Sequence, residues 1–323
     1  MFRLITFPIH SNQLHIIFQL ALKVMSNQSK IAKCQIYGAP PLNEYDWSQY
    51  PPRLSLFKDV HEINASMALQ ISNYFLSRKL PKKEADDKNN ELIPMAKGFK
   101  VSLEQALGLR LCKWPGRSQK VLKETKTFFL DGAHTEQSMW ACRTWFDHVL
   151  SQHSDPSKRI LIFNSTGDRK AEILLAPLLT FPFDLVIFCT NVTKEDDLGS
   201  DNTNLNYSMK FSLQKCETNK RTWDQLQDAK VQNNLDVPKI NVNVPSQVVT
   251  HIEDALKIVP ENSHVYVTGS LHLVGGVLSF IQPDCYELSE QELSEELKIT
   301  ETYKELHRKS LRQESAIFVS KAQ

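Results

Sequence analysis

Residues 114–134 hold the side chains best suited to chemistry. Trp114-Pro115-Gly116-Arg117 reads as a tight turn ending on a guanidinium. Thr127-Phe128-Phe129-Leu130-Asp131-Gly132-Ala133-His134 reads as an apolar strand that ends on a carboxylate, with an imidazole just beyond. A guanidinium is permanently charged and grips phosphate oxygens through paired hydrogen bonds. A carboxylate at the carboxyl end of a strand in a doubly wound sheet commonly binds ribose hydroxyls, and Gly132 lets the backbone pass close to a ligand. Together these features point to a nucleotide. Each residue also has a plainer reading: Arg117 as a surface cation at a hinge, Asp131 as the cap of a helix opening near Thr135, and His134 as a structural ring at that helix start.

Two more blocks combine small polar residues with glycine at the junction of a strand and a helix. In Phe163-Asn164-Ser165-Thr166-Gly167-Asp168-Arg169 the loop is read as shaping the site, with Asp168 a candidate cap for a helix from 170. In Val267-Thr268-Gly269-Ser270-Leu271-His272-Leu273-Val274-Gly275-Gly276 the exposed amides of a helix start could attract an anion such as a carboxylate. Ser270 and His272 are its candidate contacts, while Gly275 and Gly276 suit close helix packing. Farther upstream, Asn64 lies on the face of a helix patterned from His61 to Leu76.

The elements that must hold these residues alternate. Apolar runs at Phe128–Leu130, Arg159–Phe163, Asp184–Cys189, Ile240–Val244 and His264–Val267 are separated by helical patterns at 135–152, 170–179, 213–230, 247–258 and 271–282. Continuous apolar strands between helices predict an α/β domain with a Rossmann-like, mainly parallel sheet covered on both faces. Ligands of such sheets bind beyond the carboxyl ends of the strands, where Asp131, Asn164–Asp168 and Thr268–Ser270 fall. Before this domain, Ile31–Tyr37 reads as a helix end and a short strand, and Ser102–Leu109 as a short capped helix. Residues 79–92 and 191–206 read as polar loops, and the segment from Glu287 to Arg312 as a charged amphipathic helix facing solvent or a partner. The expected organisation is an unassigned extension at 1–26, a first region at 27–112, the α/β domain at 113–286 and a helical tail at 287–323.

Composition narrows the classes. The 323 residues carry 38 basic and 37 acidic side chains, a balance that gives no basic groove for nucleic acid. Six cysteines lack C-x-x-C pairing, which argues against a zinc site or a disulfide framework and for a reducing compartment. No run of 18 apolar residues suggests a membrane span. Residues 1–26 contain no acid, a feature of mitochondrial transit peptides, but arginine and serine are sparse there and an ordinary helix is the better reading.

The Trp-Pro-Gly-Arg, Asp-Gly-Ala-His, Asn-Ser-Thr-Gly-Asp-Arg and Gly-Ser-Leu-His-Leu-Val-Gly-Gly blocks, in this order, resemble the C-terminal domain of the folylpolyglutamate synthases, Mur-ligase-like enzymes that form amide bonds. The resemblance runs over about residues 27–282. It implies an ATP-dependent ligase that adds L-glutamate to the γ-carboxyl of tetrahydrofolate polyglutamates through an acyl phosphate. Arg117 would contact ATP from across an interdomain cleft, Asp131 would be a second ATP contact, Asn64 would lie near the adenine, and Ser270 and His272 would lie on the glutamate side. It further implies Mg2+ as cofactor, small molecules as the only substrates, a monomer, and a cytoplasmic or mitochondrial location. Dihydrofolate synthases and cell-wall Mur ligases are weaker matches to the first and last blocks. The family's phosphate loop, G-x-x-x-x-G-K-[ST], requires a Gly-Lys dipeptide, and this sequence contains none. Region 27–112 is therefore expected to be the remnant of the central ATPase domain, with the magnesium ligands absent and no ligase activity from these residues alone. A non-catalytic module that binds nucleotide or a partner is the alternative.

Overall fold

The computed structural model describes residues 2–5, 12–48, 50–54, 60–77, 93–152, 157–195, 209–232, 243–283 and 294–305 apart from 296 and 303. Strand 240–244 is therefore described only from 243 on, loop 79–92 lies outside these residues, and loop 191–206 is described only to 195. The chain divides into two compact units, Met1–Lys113 with Leu288–Gln323, and Trp114–Glu287.

In the first unit, β1 (Phe2–Ile5) pairs in parallel with β2 (Gln35–Gly38), and α1 (Asn12–Ile31) connects them. The helix end and short strand expected at 31–37 are present. Next come α2 (Val60–Ser77) and α3 (Leu103–Leu111). Ser102 caps α3 reciprocally with Gln105, satisfying two backbone donors at the helix start. A small core joins Tyr45, Tyr50, Leu69, Val101 and Ala106. The Tyr45 hydroxyl lies 3.0 Å from both the carbonyl and the hydroxyl of Ser66 on α2. The charged tail packs here too: Thr300 is buried and the Lys304 ammonium sits 5.4 Å from the Tyr50 ring centroid.

The second unit is built on a sheet of six strands among the described residues, in the order β3 (Gln119–Lys123), β4 (Lys126–Asp131), β8 (Ser263–Thr268), β5 (Lys158–Phe163), β6 (Leu185–Cys189) and β7 (Ser246–Val249). β3 runs antiparallel to β4 and the remaining pairs are parallel. The connecting helices are α4 (Glu136–Ser151), α5 (Ala171–Leu175), α6 (Met209–Gln232), α7 (Ile252–Ile258) and α8 (Leu271–Ile281), with a 3-10 turn at Ala176–Leu178. The expected mainly parallel α/β sheet is thus realised.

Each inner strand buries both faces, which is why its sequence is continuously apolar rather than alternating. Phe128, Leu130, Val265 and Val267 face α7 and α8 in one core. On the other face Phe129 stacks on its register partner Tyr266 at 5.1 Å, and Phe146 of α4 meets Tyr266 edge-on at 4.8 Å. Edge-to-face and offset pairs add about 0.5–1.5 kcal/mol beyond burial, so this aromatic layer stiffens the middle of the sheet.

Two expectations are corrected. The fourth apolar run, 240–244, is not a strand at its described end: Asn243 and Val244 lie before β7, which begins at Ser246, and Val186 N–H donates to the Pro245 carbonyl at 3.0 Å. The 247–258 helix correspondingly begins only at Ile252, because 246–249 are committed to the sheet edge. β7 is half-buried throughout, so it lacks the apolar run that marks the inner strands. The antiparallel β3 has one buried residue, Val121, and two lysines, a pattern suited to a solvent-facing edge and faint in sequence.

The Gly-Gly step in α8 separates packing from propensity. A methyl group at Gly276 would lie 2.3 Å from the Ile252 side chain, whereas one at Gly275 would meet nothing within 4 Å. Gly275→Ala is expected to stabilise by about 0.5–1 kcal/mol through helix propensity. Gly276→Ala is expected to lose stability because Ile252 must shift. Urea midpoints for the two variants should move in opposite directions.

Candidate functional site

β4, β8 and β5 lie side by side, and the helix after β4 covers the face opposite the helix after β8. Loops leaving adjacent strands toward opposite faces open a crevice beyond the carboxyl ends, where ligands of such sheets bind. Asp131 and Thr268 are register partners at that edge, and Asn164 follows the end of β5.

The turn before β3 completes the edge. Arg117 N–H donates to the Trp114 carbonyl at 3.1 Å, with Pro115 and then Gly116 at φ +76° between them. That combination defines a type II turn, whose third position requires the left-handed conformation that glycine tolerates. A Cβ at Gly116 would also stand 2.6 Å from Val274 of α8. Gly132 N–H donates to the Gly116 carbonyl at 2.8 Å, tying the turn to the end of β4. The Arg117 guanidinium lies 5.5 Å from the Trp114 ring centroid and, among the described residues, forms no ion pair.

Asp131 is buried, and its Oδ2 accepts hydrogen bonds from Ser118 N–H at 2.9 Å and Ser118 Oγ at 3.2 Å. Burial raises its pKa above the ordinary 3.8; the Ser118 amide, the Arg117 charge, the Ser118 hydroxyl and the Ala133 amide pull the other way. Burial is the largest of these influences, and beside the strand end lies a second buried group. There the Cys142 thiol lies 3.5 Å from Thr268 Oγ1, and burial followed by the Asp131 charge pushes that thiol well above its usual range.

The remaining candidates distribute as follows. Asp131 does not cap α4: Thr135 does, reciprocally with Ser138, because its backbone is extended at the N-cap position. His134 is half-buried and its Nδ1 lies 2.9 Å from the Gly132 carbonyl. Only a protonated Nδ1 can donate there, which leaves Nε2 of a neutral ring as an acceptor. Ser270 is buried and caps α8, accepting from Leu273 N–H at 3.5 Å, while His272 on the first turn is exposed. Asp168 is exposed and caps nothing; Lys170 occupies the N-cap of α5 without a side-chain bond. Asn164 is buried and donates from Nδ2 to Asn191 Oδ1 at 3.0 Å. Asn64 is exposed on α2 in the first unit. Arg117, Asp131 and His134 are therefore brought to one edge, with Ser270 and His272 on the neighbouring loop. Ser118, which the sequence did not single out, joins them. Among the described residues no group of three or more His, Cys, Asp or Glu side chains is placed to hold a metal, and no helix is long and apolar enough to cross a membrane.

No family model matches. The mitochondrial folylpolyglutamate synthase of Bos taurus is 29% identical over 321 residues, covering 81% of this chain and 55% of that protein. The human mitochondrial enzyme is 28% identical over the same shares. The folylpolyglutamate synthase of Saccharomyces cerevisiae (strain YJM789) is 28% identical over 271 residues, 80% of this chain and 44% of that one. The chain is a relative of the folylpolyglutamate synthases. It spans about half the length of the curated relatives it matches. A Mycobacterium tuberculosis folylpolyglutamate synthase complexed with ADP shares the fold with a TM-score of 0.51 at 15% identity, over 81% of this chain and 53% of that one.

The geometry makes two predictions. Gly116→Ala should cost roughly 2 kcal/mol or more, from the left-handed backbone and the clash with Val274, read as a lowered urea midpoint. A raised carboxyl pKa means the folded state holds the proton more tightly. The stability Asp131 contributes is present below its ordinary pKa and lost as pH rises through the raised folded value. Asp131→Asn lacks this slope. The stability of Asp131→Asn relative to the parent should therefore climb with pH from about 4 upward and then level off. A flat or falling difference would contradict the burial argument.

Proposed function

We propose that this chain supplies the nucleotide-gripping C-terminal lobe of an ATP-dependent ligase that adds L-glutamate to the γ-carboxyl of folyl-glutamates. The observation that carries the reading is Arg117, a cation presented by a rigid turn at the carboxyl edge of a parallel sheet, beside a buried carboxylate. The relation to folylpolyglutamate synthases supplies the substrate class. In the reaction, the terminal phosphoryl of ATP passes to a folate carboxylate oxygen, leaving ADP and an acyl phosphate. The amine of glutamate attacks the acyl carbon, a C–N bond forms, the C–O bond to phosphate breaks, and a proton leaves the nitrogen.

This chain's part would be positioning and charge. Arg117 would hold phosphate oxygens of the nucleotide, Asp131 would lie beside it, and His134 would offer Nε2 as an acceptor near the nucleotide. The Ser270 loop, with His272 on the first turn of α8, would face the carboxylate of the incoming glutamate. Asn64 would meet the adenine end. Magnesium neutralises phosphate charge in reactions of this class, and none of the described residues forms a cluster suited to holding it. Substrates would be small molecules, the chain a monomer, and its place of action the cytoplasm or the mitochondrion.

These 323 residues contain no Gly-Lys dipeptide, so they lack the lysine that meets the terminal phosphates in a phosphate loop. By themselves they are expected to bind nucleotide weakly and to catalyse no ligation. The same absence favours a second reading, a non-catalytic module that binds nucleotide or a partner chain.

Calorimetry with ADP on the purified chain, alongside a folate- and glutamate-dependent phosphate-release assay, tests both readings. Weak ADP binding that falls about tenfold or more in Arg117→Ala is expected, in line with the 1.5–3 kcal/mol typical of a hydrogen bond to a charged group. No turnover should be seen. Binding indifferent to Arg117 would refute the nucleotide site, and robust turnover would refute the claim that these residues need complementing.

A further inference from the structure

The geometry points to Trp114 as a positioning residue of this site: its indole is the shelf that aims the Arg117 guanidinium at the phosphates of the nucleotide. This rests on the nucleotide reading above and names what directs the cation within it.

The first and fourth residues of a β-turn come within about 7 Å of each other at Cα. The spacing Trp114-Pro115-Gly116-Arg117 therefore brings an indole and a guanidinium together by local geometry alone. The guanidinium carbon of Arg117 lies 5.5 Å from the Trp114 ring centroid. That is inside the roughly 6 Å over which a ring face attracts a cation, and indole is the strongest of the aromatic faces. Among the described residues the guanidinium makes no hydrogen bond and no ion pair, so the ring is the contact that sets its direction. A rival partner stands nearby. The Asp131 carboxylate is close enough for the Arg117 charge to favour its ionised form, yet the two form no ion pair. A long side chain released from the ring would turn toward that carboxylate, and N–H groups spent there are lost to phosphate.

The surroundings of Trp114 show that the indole does not serve the core. It is 51% exposed, an unusual state for so large an apolar group. Nor does the turn depend on it, since Pro115 and Gly116 supply the backbone angles. Gly116 is also held at both ends: its N–H donates to Gln119 Oε1 at 2.8 Å, and its carbonyl accepts from Gly132 N–H at 2.8 Å. A rigid turn thus carries the indole, and the indole carries the cation.

The test is calorimetry with ADP on the full chain, run as a double-mutant cycle. Trp114→Ala should weaken ADP binding about threefold to fivefold, the range expected for an exposed cation–π contact. Trp114→Phe keeps a ring face and should stay within about twofold of the parent. In the Arg117→Ala background, Trp114→Ala should have no further effect. A further loss of the same factor there would mean that the indole touches the nucleotide itself. Unchanged binding in Trp114→Ala would mean that the ring directs nothing, and either result overturns the inference. Trp114→Ala should also keep the urea midpoint of the parent; weaker binding that tracks a lowered midpoint counts against positioning. A measurement without ligand separates a failed shelf from a failed nucleotide site. The Arg117 side-chain protons should be shifted upfield by the ring in the parent and return to ordinary positions in Trp114→Ala. Ordinary positions in the parent overturn the shelf whatever ADP does. An upfield shift in a parent that binds no ADP instead refutes the nucleotide site, and with it the role of the shelf, while the contact itself stands.

Discussion

A carboxylate placed at the buried end of a strand must find hydrogen-bond donors within the protein, since burying it unpartnered would cost several kcal/mol. Asp131 finds them in Ser118, across the hairpin formed by β3 and β4. Much of the local architecture follows from that one pairing. It carries the hairpin register past Gln119 and Leu130, pulls the preceding turn against the end of β4, and leaves Arg117 at the lip of the sheet. The backbone bond from Gly132 to Gly116 works in the same direction. A charge-bearing turn thereby becomes part of a rigid edge, although it belongs to a loop by sequence.

The rest of the α/β unit supplies the frame. Because β8 is inserted between β4 and β5, three loops from distant parts of the sequence arrive side by side. Helices α4 and α8 cover opposite faces, so the loops part above the sheet rather than closing over it. The stacked pair Phe129 and Tyr266, with Phe146 and Phe181 around it, fixes β4 against β8 one layer below Asp131 and Thr268. Packing of this kind resists small shifts, which keeps the strand ends and the loops that leave them in fixed places. Burial of the strand end accounts for the upward shift at Asp131 despite its donors.

The inner strands were legible because burial on both faces writes continuous apolar runs, as at Phe128–Leu130 and His264–Val267. The Trp-Pro-Gly-Arg turn was legible because proline and glycine occupy positions whose backbone angles suit them. The capped start of α3 at Ser102 was legible for a similar local reason. The edges were not. β3 is lysine-rich with one buried residue, and β7 is half-buried, so neither carries the run that marks its neighbours. The Ile240-Val242-Val244 alternation drew the strand assignment away from Ser246. Asp168 fits the composition of a cap, yet the chain enters α5 two residues later, at Lys170. The pairing of Ser118 with Asp131 spans thirteen residues and depends on a hairpin register, and no local residue preference encodes that register. The turn bearing Arg117 and the strand end bearing Asp131 could be read from types and spacing; their coupling through Ser118 could not.

Titrating ADP into isotope-labelled chain and following backbone amide shifts tests the central claim most directly. The largest shifts should fall on Gly116, Arg117, Ser118, Gly132 and His134, with β7 and the far ends of the strands unmoved. Shifts confined to other surfaces, or none at millimolar ADP, would contradict the placement of a nucleotide at this edge.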